Sequence, residues 1–291
     1  MNRSTPYSYA QSVKSDVSDE LINTYVLRPV AGILVRALYA TPVTPNQVTL
    51  AGIACGVGSA VLYAGGSPLS TLLAGLCLTV KDLLDSADGQ LARAKQMYSR
   101  TGRFLDSIGD FGVNLLVFSA IGYALFTRTG DPVVMFLAAL SFLGTTLRVS
   151  YHVFYHTSFL HLQESYTLNR VLEEMREEDY EAETLTFRLH QIFLVLYGWQ
   201  DRLMARVDRW TKHNLPATRE HTRRWYGDTT ALRFSGFLGL GTELMLLTVC
   251  SVLDRLETYL LLNVFLMNGV WLVSMVYRRY VLAERLCGSS R

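Results

Sequence analysis

The stretch that decides the architecture of this chain lies at residues 85–110. It reads Asp85-Leu-Leu-Asp88-Gly89-Gln-Leu-Ala92-Arg93, then eight residues, then Gly102-Arg-Phe-Leu-Asp106-Ser-Ile-Gly-Asp110. Long apolar runs flank these aspartates. A charged side chain at membrane depth costs about 3 kcal/mol even on insertion scales, so a cluster of four predicts bound cations or a wet cavity.

The rest of the chain has the composition of a membrane protein. It has 291 residues, half of them apolar, and a formal net charge of +2. The apolar residues gather in runs of about 20, the length that crosses a hydrocarbon core of roughly 30 Å. We therefore predict an all-α polytopic membrane protein. The near-neutral charge gives no argument for nucleic-acid binding, and we expect no nucleic acid among its partners.

Hydropathy divides the chain into three parts. The predicted spans are 45–65, 69–92, 102–126, 132–154, 231–253 and 258–280. An amphipathic helix at about 17–40 precedes them and suits the membrane interface. A charged, mostly helical insert separates the fourth span from the fifth. The domains are therefore 17–157 with four transmembrane helices, 158–230 as a cytoplasmic or interfacial insert, and 231–291 with two transmembrane helices and a basic tail.

The sequence also predicts what surrounds two segments of the insert. An acidic run is predicted to form a solvated helix face. It comprises Glu173, Glu174, Glu177, Glu178 and Asp179. The apolar segment 192–199 is too short to span a membrane. We expect it to pack on the membrane surface or against the transmembrane bundle.

Basic residues set the expected orientation. Lys and Arg concentrate in the 93–103 loop, in the insert and at the C-terminus, whereas the alternate loops carry few. Such residues favour the cytoplasmic side. Both termini and the aspartate loop should therefore be cytoplasmic.

Helical spacing groups the aspartates. Residues three or four apart share a helix face, so Asp85 and Asp88 fall on one side of the second span, and Asp106 and Asp110 on one side of the third. The connecting loop is short, which predicts antiparallel neighbouring helices whose acids converge. Converging carboxylates favour Mg²⁺ or Mn²⁺, and two such ions about 4 Å apart are a recurrent device in phosphoryl chemistry.

The pattern D-x-x-D-G-x-x-A-R-x8-G-x3-D-x3-D resembles the signature of the CDP-alcohol phosphotransferase (CDP-alcohol phosphatidyltransferase) family. Every fixed position is filled. The opening of the first span, 44–49, also resembles this family. The likeness covers about 20–150, while 158–230 matches nothing recognisable.

The resemblance implies a six-helix membrane enzyme of phospholipid synthesis and a homodimer. It would transfer a substituted phosphate from a CDP-linked donor to an alcohol acceptor and release CMP. The donor is CDP-diacylglycerol with a polar alcohol, or a CDP-linked head group with a lipid alcohol.

The resemblance also implies residue roles. Asp85, Asp88 and Asp106 would hold metal, and Asp110 would act as general base and help to bind a second Mg²⁺ or Mn²⁺. The implied contacts to the cytidine diphosphate are Asn46, Thr49, Asp85, Gly89, Ala92, Arg93 and Gly102.

The sequence gives weaker indications of the acceptor site than of the metal and nucleotide sites. Arg148, His152 and Glu243 are candidates for an acceptor or lipid cavity, although Glu243 has the alternative of an interhelical hydrogen bond and His152 that of an interfacial histidine. Family members with phosphorylated acceptors typically carry several arginines after a Ser-Tyr pair in the fourth span. Here Ser150-Tyr151 is followed by His152. This departure weakens the case for a phosphorylated acceptor, although arginines of the insert could fold back over the site.

Three alternatives remain open on the sequence. The aspartates could form buried ion pairs with Arg93, Arg100 and Arg103. The chain could be a cation transporter, which would require further acids along a path across the membrane. It could also be an inactive family member that acts as a scaffold.

Overall fold

The computed structural model describes residues 20, 22–163, 171–180, 183–212, 215 and 218–288. Within these ranges the structure is helical and has no strand, which confirms the all-α prediction. The expectations for 17–19, for the intervening gaps and for 289–291 lie outside the described residues.

The connections between helices are short from α1 to α5, and a longer one joins α5 to α6. In chain order they are α1 (Arg28–Tyr39), α2 (Pro45–Ala64), α3 (Pro68–Lys95), α4 (Arg100–Thr129), α5 (Val133–Leu162), α6 (Glu177–Tyr180), α7 (Thr184–Thr211), α8 (Arg219–Tyr226), α9 (Thr229–Phe237), α10 (Leu240–Val252) and α11 (Leu256–Cys287). A π-helical turn, Asn23–Leu27, leads into α1, and α11 contains two π-helical segments.

Local sequence signals fix the ends of the helices that carry the motif. Thr44 caps α2 in a capping box with Gln47, and Ser67 caps α3 in the same way with Ser70. Pro45 and Pro68 occupy the first helical positions, where proline costs no hydrogen bond. The hydroxyl of Ser99 accepts a hydrogen bond from the amide of Gly102 at the start of α4.

Helix α2 is the centre of the bundle because it packs along both α3 and α4. Gly56 permits the close approach to α4, since a Cβ there would lie 2.5 Å from Cγ1 of Val113. The two aspartate helices pack little against each other and are held instead through α2. Side chains of the two helices nevertheless meet, since Lys81 of α3 donates a hydrogen bond to Asp110 of α4. The predicted antiparallel neighbours are thus present without close backbone contact. Their separation leaves an open cleft between them.

Four of the described helices are long and apolar enough to cross a membrane: α2, α4, α5 and α11. The pair α9 and α10, bent by 41°, makes a fifth if it is taken as one span. Helix α3, the predicted second span, is not among them, because its C-terminal half is rich in charged residues. These are Lys81, Asp82, Asp85, Asp88, Arg93 and Lys95.

The predicted fifth span is broken between α9 and α10 by a residue from the start of the chain. The carboxylate of Glu20 accepts a hydrogen bond of 2.7 Å from the amide of Gly241, in the first turn of α10. Gly239 makes room for it, since a Cβ there would lie 2.0 Å from Cδ of Glu20. An acidic side chain thus satisfies an amide that the helix itself leaves unpaired.

The acidic run of the insert is docked onto the bundle, so the prediction of a solvated face was wrong for its two key members. Glu173 and Asp179 are only 5% and 1% exposed. Arg103 donates to Glu173 at 2.8 Å, and Arg100 is ion-paired with both acids. These arginines at the start of α4 supply the counter-charge that allows the acids to be buried.

Segment 192–199 lies in the middle of α7, which packs against α4 and α5. Phe193 contacts Phe104, and Tyr197 contacts Phe111, with ring centroids 5.2 and 6.0 Å apart. The expected alternative of packing against the bundle is therefore the one observed.

The break in the fifth span gives a testable stability prediction. Burial raises the pKa of Glu20 from 4.5 to about 8, and the charge of Asp82 adds to this. Because folding then takes up a proton, this group makes the protein less stable as pH rises from 4.5 towards 8. Glu20→Gln should lose this pH dependence and keep the acceptor, whereas Glu20→Ala should lower the free energy of unfolding by about 1–3 kcal/mol.

Thermal unfolding in detergent at pH 6 and pH 8 measures both effects, with the exposed Glu257→Gln as control. His152 Nε2 lies 3.8 Å from Glu20, so the comparison is repeated in His152→Gln. If Glu20→Ala unfolds like the wild type at both pH values, Glu20 does not stabilise the break.

Candidate active site

Three aspartates from two helices meet in one place. Asp85 and Asp88 on α3 and Asp106 on α4 each offer a carboxylate oxygen, and these oxygens all lie within 4.8 Å of one another. The spacing of three residues on α3 puts its two acids on one face. The predicted convergence across the two helices is thus present for three of the four motif aspartates.

Asp110 lies one helical turn beyond Asp106 and has a cation as its partner. The ammonium group of Lys81 donates a hydrogen bond to Asp110 and stands 4.0 Å from Oδ1 of Asp85. Lys81 is buried, as is its neighbour Asp82. The sequence reasoning missed both residues. The signal for them was a pair of charges at the end of an apolar run, with Lys81 one turn before Asp85.

The N-terminal part of α2 contributes two polar side chains next to the aspartates. The hydroxyl of Thr49 donates to Oδ2 of Asp88. Asn46 reaches α4 so closely that a Cβ on Gly102 would lie 2.6 Å from its Oδ1. The glycine of the motif therefore leaves room for the side chain of Asn46.

A cleft of about 360 Å³ opens beside these residues. The predicted nucleotide contacts Asn46, Thr49, Gly89, Ala92, Arg93 and Gly102 all line it, together with Asp88 and Asp106. Asp85 and Asp110 are not among its lining residues. Gly89 and Ala92 keep the α3 wall low, which lets a ligand approach the helix backbone.

The donor set of the cluster suits a hard divalent cation. Three carboxylates this close repel one another, and oxygen ligands of this kind select Mg²⁺ or Mn²⁺. The alternative of ion pairs with nearby arginines is weakened, because Arg100 and Arg103 are paired with the acids of the insert.

The residues expected to form an acceptor cavity lie elsewhere. Arg148 and Glu243 form an ion pair of 2.8 Å inside the bundle, where Asn263 and Tyr259 also donate to Glu243. His152 is buried near Glu20. None of the three lines this cleft, so the interhelical alternative describes Arg148 and Glu243.

Helix α7 reaches the site through Tyr197. Its hydroxyl donates a hydrogen bond of 2.7 Å to the carbonyl of Ser107, which lines the cleft. Burial, followed by the charges of Asp110 and Asp106, raises the pKa of Tyr197. The insert is thus in contact with the floor of the site, and this contact was not foreseen from the sequence.

The family model described as CDP-alcohol phosphatidyltransferase matches residues 42–200, more than half of the chain. The chain belongs to this family. The expected enzyme class, a phosphotransferase, is thereby confirmed at the level of the family. The match begins after α1 and continues to residue 200, so the expectation that 158–230 has no counterpart was wrong for its first part.

Curated relatives resemble shorter stretches. The bifunctional IPC transferase and DIPP synthase of Thermococcus kodakarensis is 35% identical over 117 residues, which is 40% of this chain and 25% of that protein. An uncharacterized protein of Aquifex aeolicus is 37% identical over 107 residues, 36% of this chain and 53% of its own. The bifunctional IPC transferase and DIPP synthase of Archaeoglobus fulgidus is 38% identical over 102 residues, which is 35% of this chain and 20% of that protein. The chain therefore spans from a fifth to about half the length of these relatives.

The convergence of acids predicts how this phosphotransferase binds metal. Asp106→Asn removes one anionic ligand while preserving shape, so Mn²⁺ affinity should fall roughly tenfold or more. Electron paramagnetic resonance titration of Mn²⁺ into the detergent-solubilised protein measures it. Glu257→Gln, which removes an exposed acid from α11, should bind as the wild type does. Equal Mn²⁺ affinity in Asp106→Asn and the wild type would count against a metal at this cluster.

The close contact between Asn46 of α2 and Gly102 of α4 predicts an effect on nucleotide binding. Gly102→Ala would place a methyl group 2.6 Å from Oδ1 of Asn46 and 2.9 Å from Oγ of Ser99, so Asn46 must move. Affinity for CDP should then fall about tenfold, the loss of about one good hydrogen bond. Gly112→Ala is the matched control, because a Cβ at Gly112 meets no atom within 4 Å. Calorimetric titration with CDP and Mg²⁺ measures both variants. Unchanged CDP affinity in Gly102→Ala would show that Asn46 does not touch the nucleotide.

Proposed function

We propose that the chain is a metal-dependent enzyme of phospholipid synthesis that transfers a substituted phosphate from a CDP-linked donor to an alcohol and releases CMP. The observation that supports this best is the meeting of Asp85, Asp88 and Asp106 beside a cleft that the other motif residues line. Family membership supports the same class of reaction.

The cleft has the features that a nucleoside diphosphate requires. Arg93 on its wall offers a planar fork of donors to phosphate oxygens, and Asn46 and Thr49 add polar groups from α2. The low wall formed by Gly89, Ala92 and Gly102 leaves space for the nucleotide. The proposed donor is the lipid-linked nucleotide CDP-diacylglycerol.

Two ions of Mg²⁺ or Mn²⁺ are the proposed cofactors. Asp85, Asp88 and Asp106 would hold them, with Asp110 as a shared ligand of the second. When bound, such ions neutralise the diphosphate and the negative charge that develops during transfer.

Asp110 is the proposed general base. An alcohol is a weak nucleophile, and a carboxylate within hydrogen-bond reach takes its proton as attack proceeds. The alcohol oxygen forms a bond to the phosphorus distal to cytidine. The bond from that phosphorus to the bridging oxygen breaks, and its electron pair leaves with CMP. Lys81, hydrogen-bonded to Asp110, holds the carboxylate in position.

A topology of six crossings suits this chemistry, with α3 as the second span and the bent pair α9 and α10 as the fifth. The apolar part of α3, 68–80, is about 20 Å long at 1.5 Å per residue, which is shorter than the roughly 30 Å core. The aspartates would then lie near one boundary of the core, where a soluble nucleotide and a lipid meet. The basic residues around 93–103 favour the cytoplasmic side for that boundary and for both termini.

The remaining assignments rest on the sequence alone. They are an interfacial role for α1, a cytoplasmic position for the insert, the division into 17–157, 158–230 and 231–291, and a homodimer. The homodimer is an expectation of the family resemblance.

The competing functions have less support. A transporter needs acids along a path across the membrane. In the described chain Glu243, the acid of α10, is tied to Arg148 by an ion pair instead. An inactive scaffold would not be expected to keep every motif position and a cluster of acids that suits a metal.

Loss of the proposed base gives the direct functional test. Asp110→Asn should reduce CMP release from CDP-diacylglycerol by about 100-fold or more, because general base catalysis typically contributes that much. Binding of Mn²⁺ should persist through the three converging aspartates. CMP is measured with purified protein, a panel of acceptor alcohols, and either Mg²⁺ or a chelator. Normal turnover in Asp110→Asn would remove Asp110 as the base, and CMP release that survives chelation would remove the metal.

A further inference from the structure

A second, larger cavity adjoins the cleft. Its volume is about 1160 Å³. Arginines dominate its lining: Arg100, Arg103, Arg176, Arg202, Arg206 and Arg209. Two of them come from α4, and the others come from the insert, three of these from α7. The insert thus builds a basic chamber over the ends of α4 and α5.

Most of this positive charge is available to a ligand. Glu173 and Asp208 are the acids in the lining. Glu173 is engaged by Arg100 and Arg103, and Asp208 by Lys212, Trp225 and Tyr226. No ion pair joins Arg176, Arg202, Arg206 or Arg209 to another residue in the described part of the chain.

The arginines of α7 are arranged as one surface. Arg202, Arg206 and Arg209 follow the i, i+4, i+7 pattern of a single helix face. The Nε of Arg202 donates to the carbonyl of Gly198, and that of Arg209 to the carbonyl of Ala205. These bonds use the inner nitrogen and leave the two outer nitrogens of each fork for an anion.

The chamber is connected to the reaction site in two ways. Arg100 and Arg103 line both the chamber and the cleft. Tyr197 stands over the site near Asp106 and Asp110, and Arg202 follows it on the same helix about 8 Å further along. A molecule held in the chamber therefore lies next to the cleft that Asp88 and Asp106 line.

The α7 arginines of the chamber lie outside the residues that the family model matches, whereas Arg100, Arg103 and Arg176 lie inside them. The family match ends at residue 200, before all three arginines of this face. The fourth span lacks the arginine run that phosphorylated acceptors would lead one to expect, since Tyr151 is followed by His152. The insert supplies the missing positive charge from another direction.

We propose that this chamber binds the phosphate monoester of a phosphorylated polyol, which is the acceptor alcohol of the reaction. Guanidinium groups bind phosphate through paired hydrogen bonds, and several arginines match a dianion better than a neutral alcohol. The assignment of this molecule as acceptor rests on the proposed function, whereas the anion site itself does not.

The test compares each phosphorylated polyol with its parent. The protein in detergent receives CDP-diacylglycerol, Mg²⁺ and one acceptor. Four acceptors are compared in separate reactions: glycerol phosphate, glycerol, inositol phosphate and inositol. CMP release should occur with a phosphorylated member and not with its parent. Arg202→Gln and Arg206→Gln should raise KM for the phosphorylated acceptor about 10- to 100-fold and leave KM for the donor within about twofold, as expected for a lost charged hydrogen bond. Arg188→Gln, an exposed arginine of α7 outside the chamber, is the matched control and should change neither KM.

Calorimetric binding without donor separates this inference from the proposed function. If the phosphorylated polyol binds, and binding weakens in Arg202→Gln, but no acceptor yields CMP, the site stands and the proposed reaction is wrong. If the two variants bind and turn over the phosphorylated polyol as the wild type does, or if the parent polyol serves equally well, the inference is wrong.

Two further arms distinguish other sources of phosphate. Inorganic phosphate that binds as tightly as the phosphorylated polyol would make the chamber a free-phosphate site and overturn the acceptor assignment. Phosphatidylglycerol in nanodiscs that competes with the polyol phosphate in the wild type, and not in Arg206→Gln, would make it a lipid headgroup site and overturn the assignment too.

Discussion

The repulsion among Asp85, Asp88 and Asp106 is the constraint on which the rest of the structure depends. Their oxygens lie within 4.8 Å of one another, although the two helices that carry them pack little against each other. Helix α2 holds both helices and contributes Thr49 to the cluster. The acids are therefore kept together by a third element while a cleft stays open between them. An arrangement of this kind suits a bound cation.

The insert extends this arrangement rather than merely interrupting the spans. Glu173 and Asp179 neutralise the arginines at the start of α4, and this docking brings α7 over the site. Tyr197 then touches the cleft, and the arginines that follow it line the larger cavity. One set of ion pairs thus positions α7 beside both the cleft and the basic chamber.

The sequence predicted features that depend on local pattern. The helices and the meeting of three motif aspartates follow from spacing and from runs of apolar residues. Features that depend on distant partners were not predictable in the same way. Glu20 breaks the fifth span from 221 residues away, Arg100 and Arg103 bury the acidic run, and α2 packs against both aspartate helices. Lys81 could have been noticed as a charge in an apolar run, but its pairing with Asp110 required coordinates.

The most direct measurement is anomalous X-ray scattering from crystals grown with Mn²⁺ and CDP. The account predicts two strong manganese peaks bounded by Asp85, Asp88, Asp106 and Asp110, with the diphosphate beside them in the cleft that Arg93 lines. Manganese bound elsewhere, or aspartate side chains that point apart with the nucleotide outside the cleft, would contradict it.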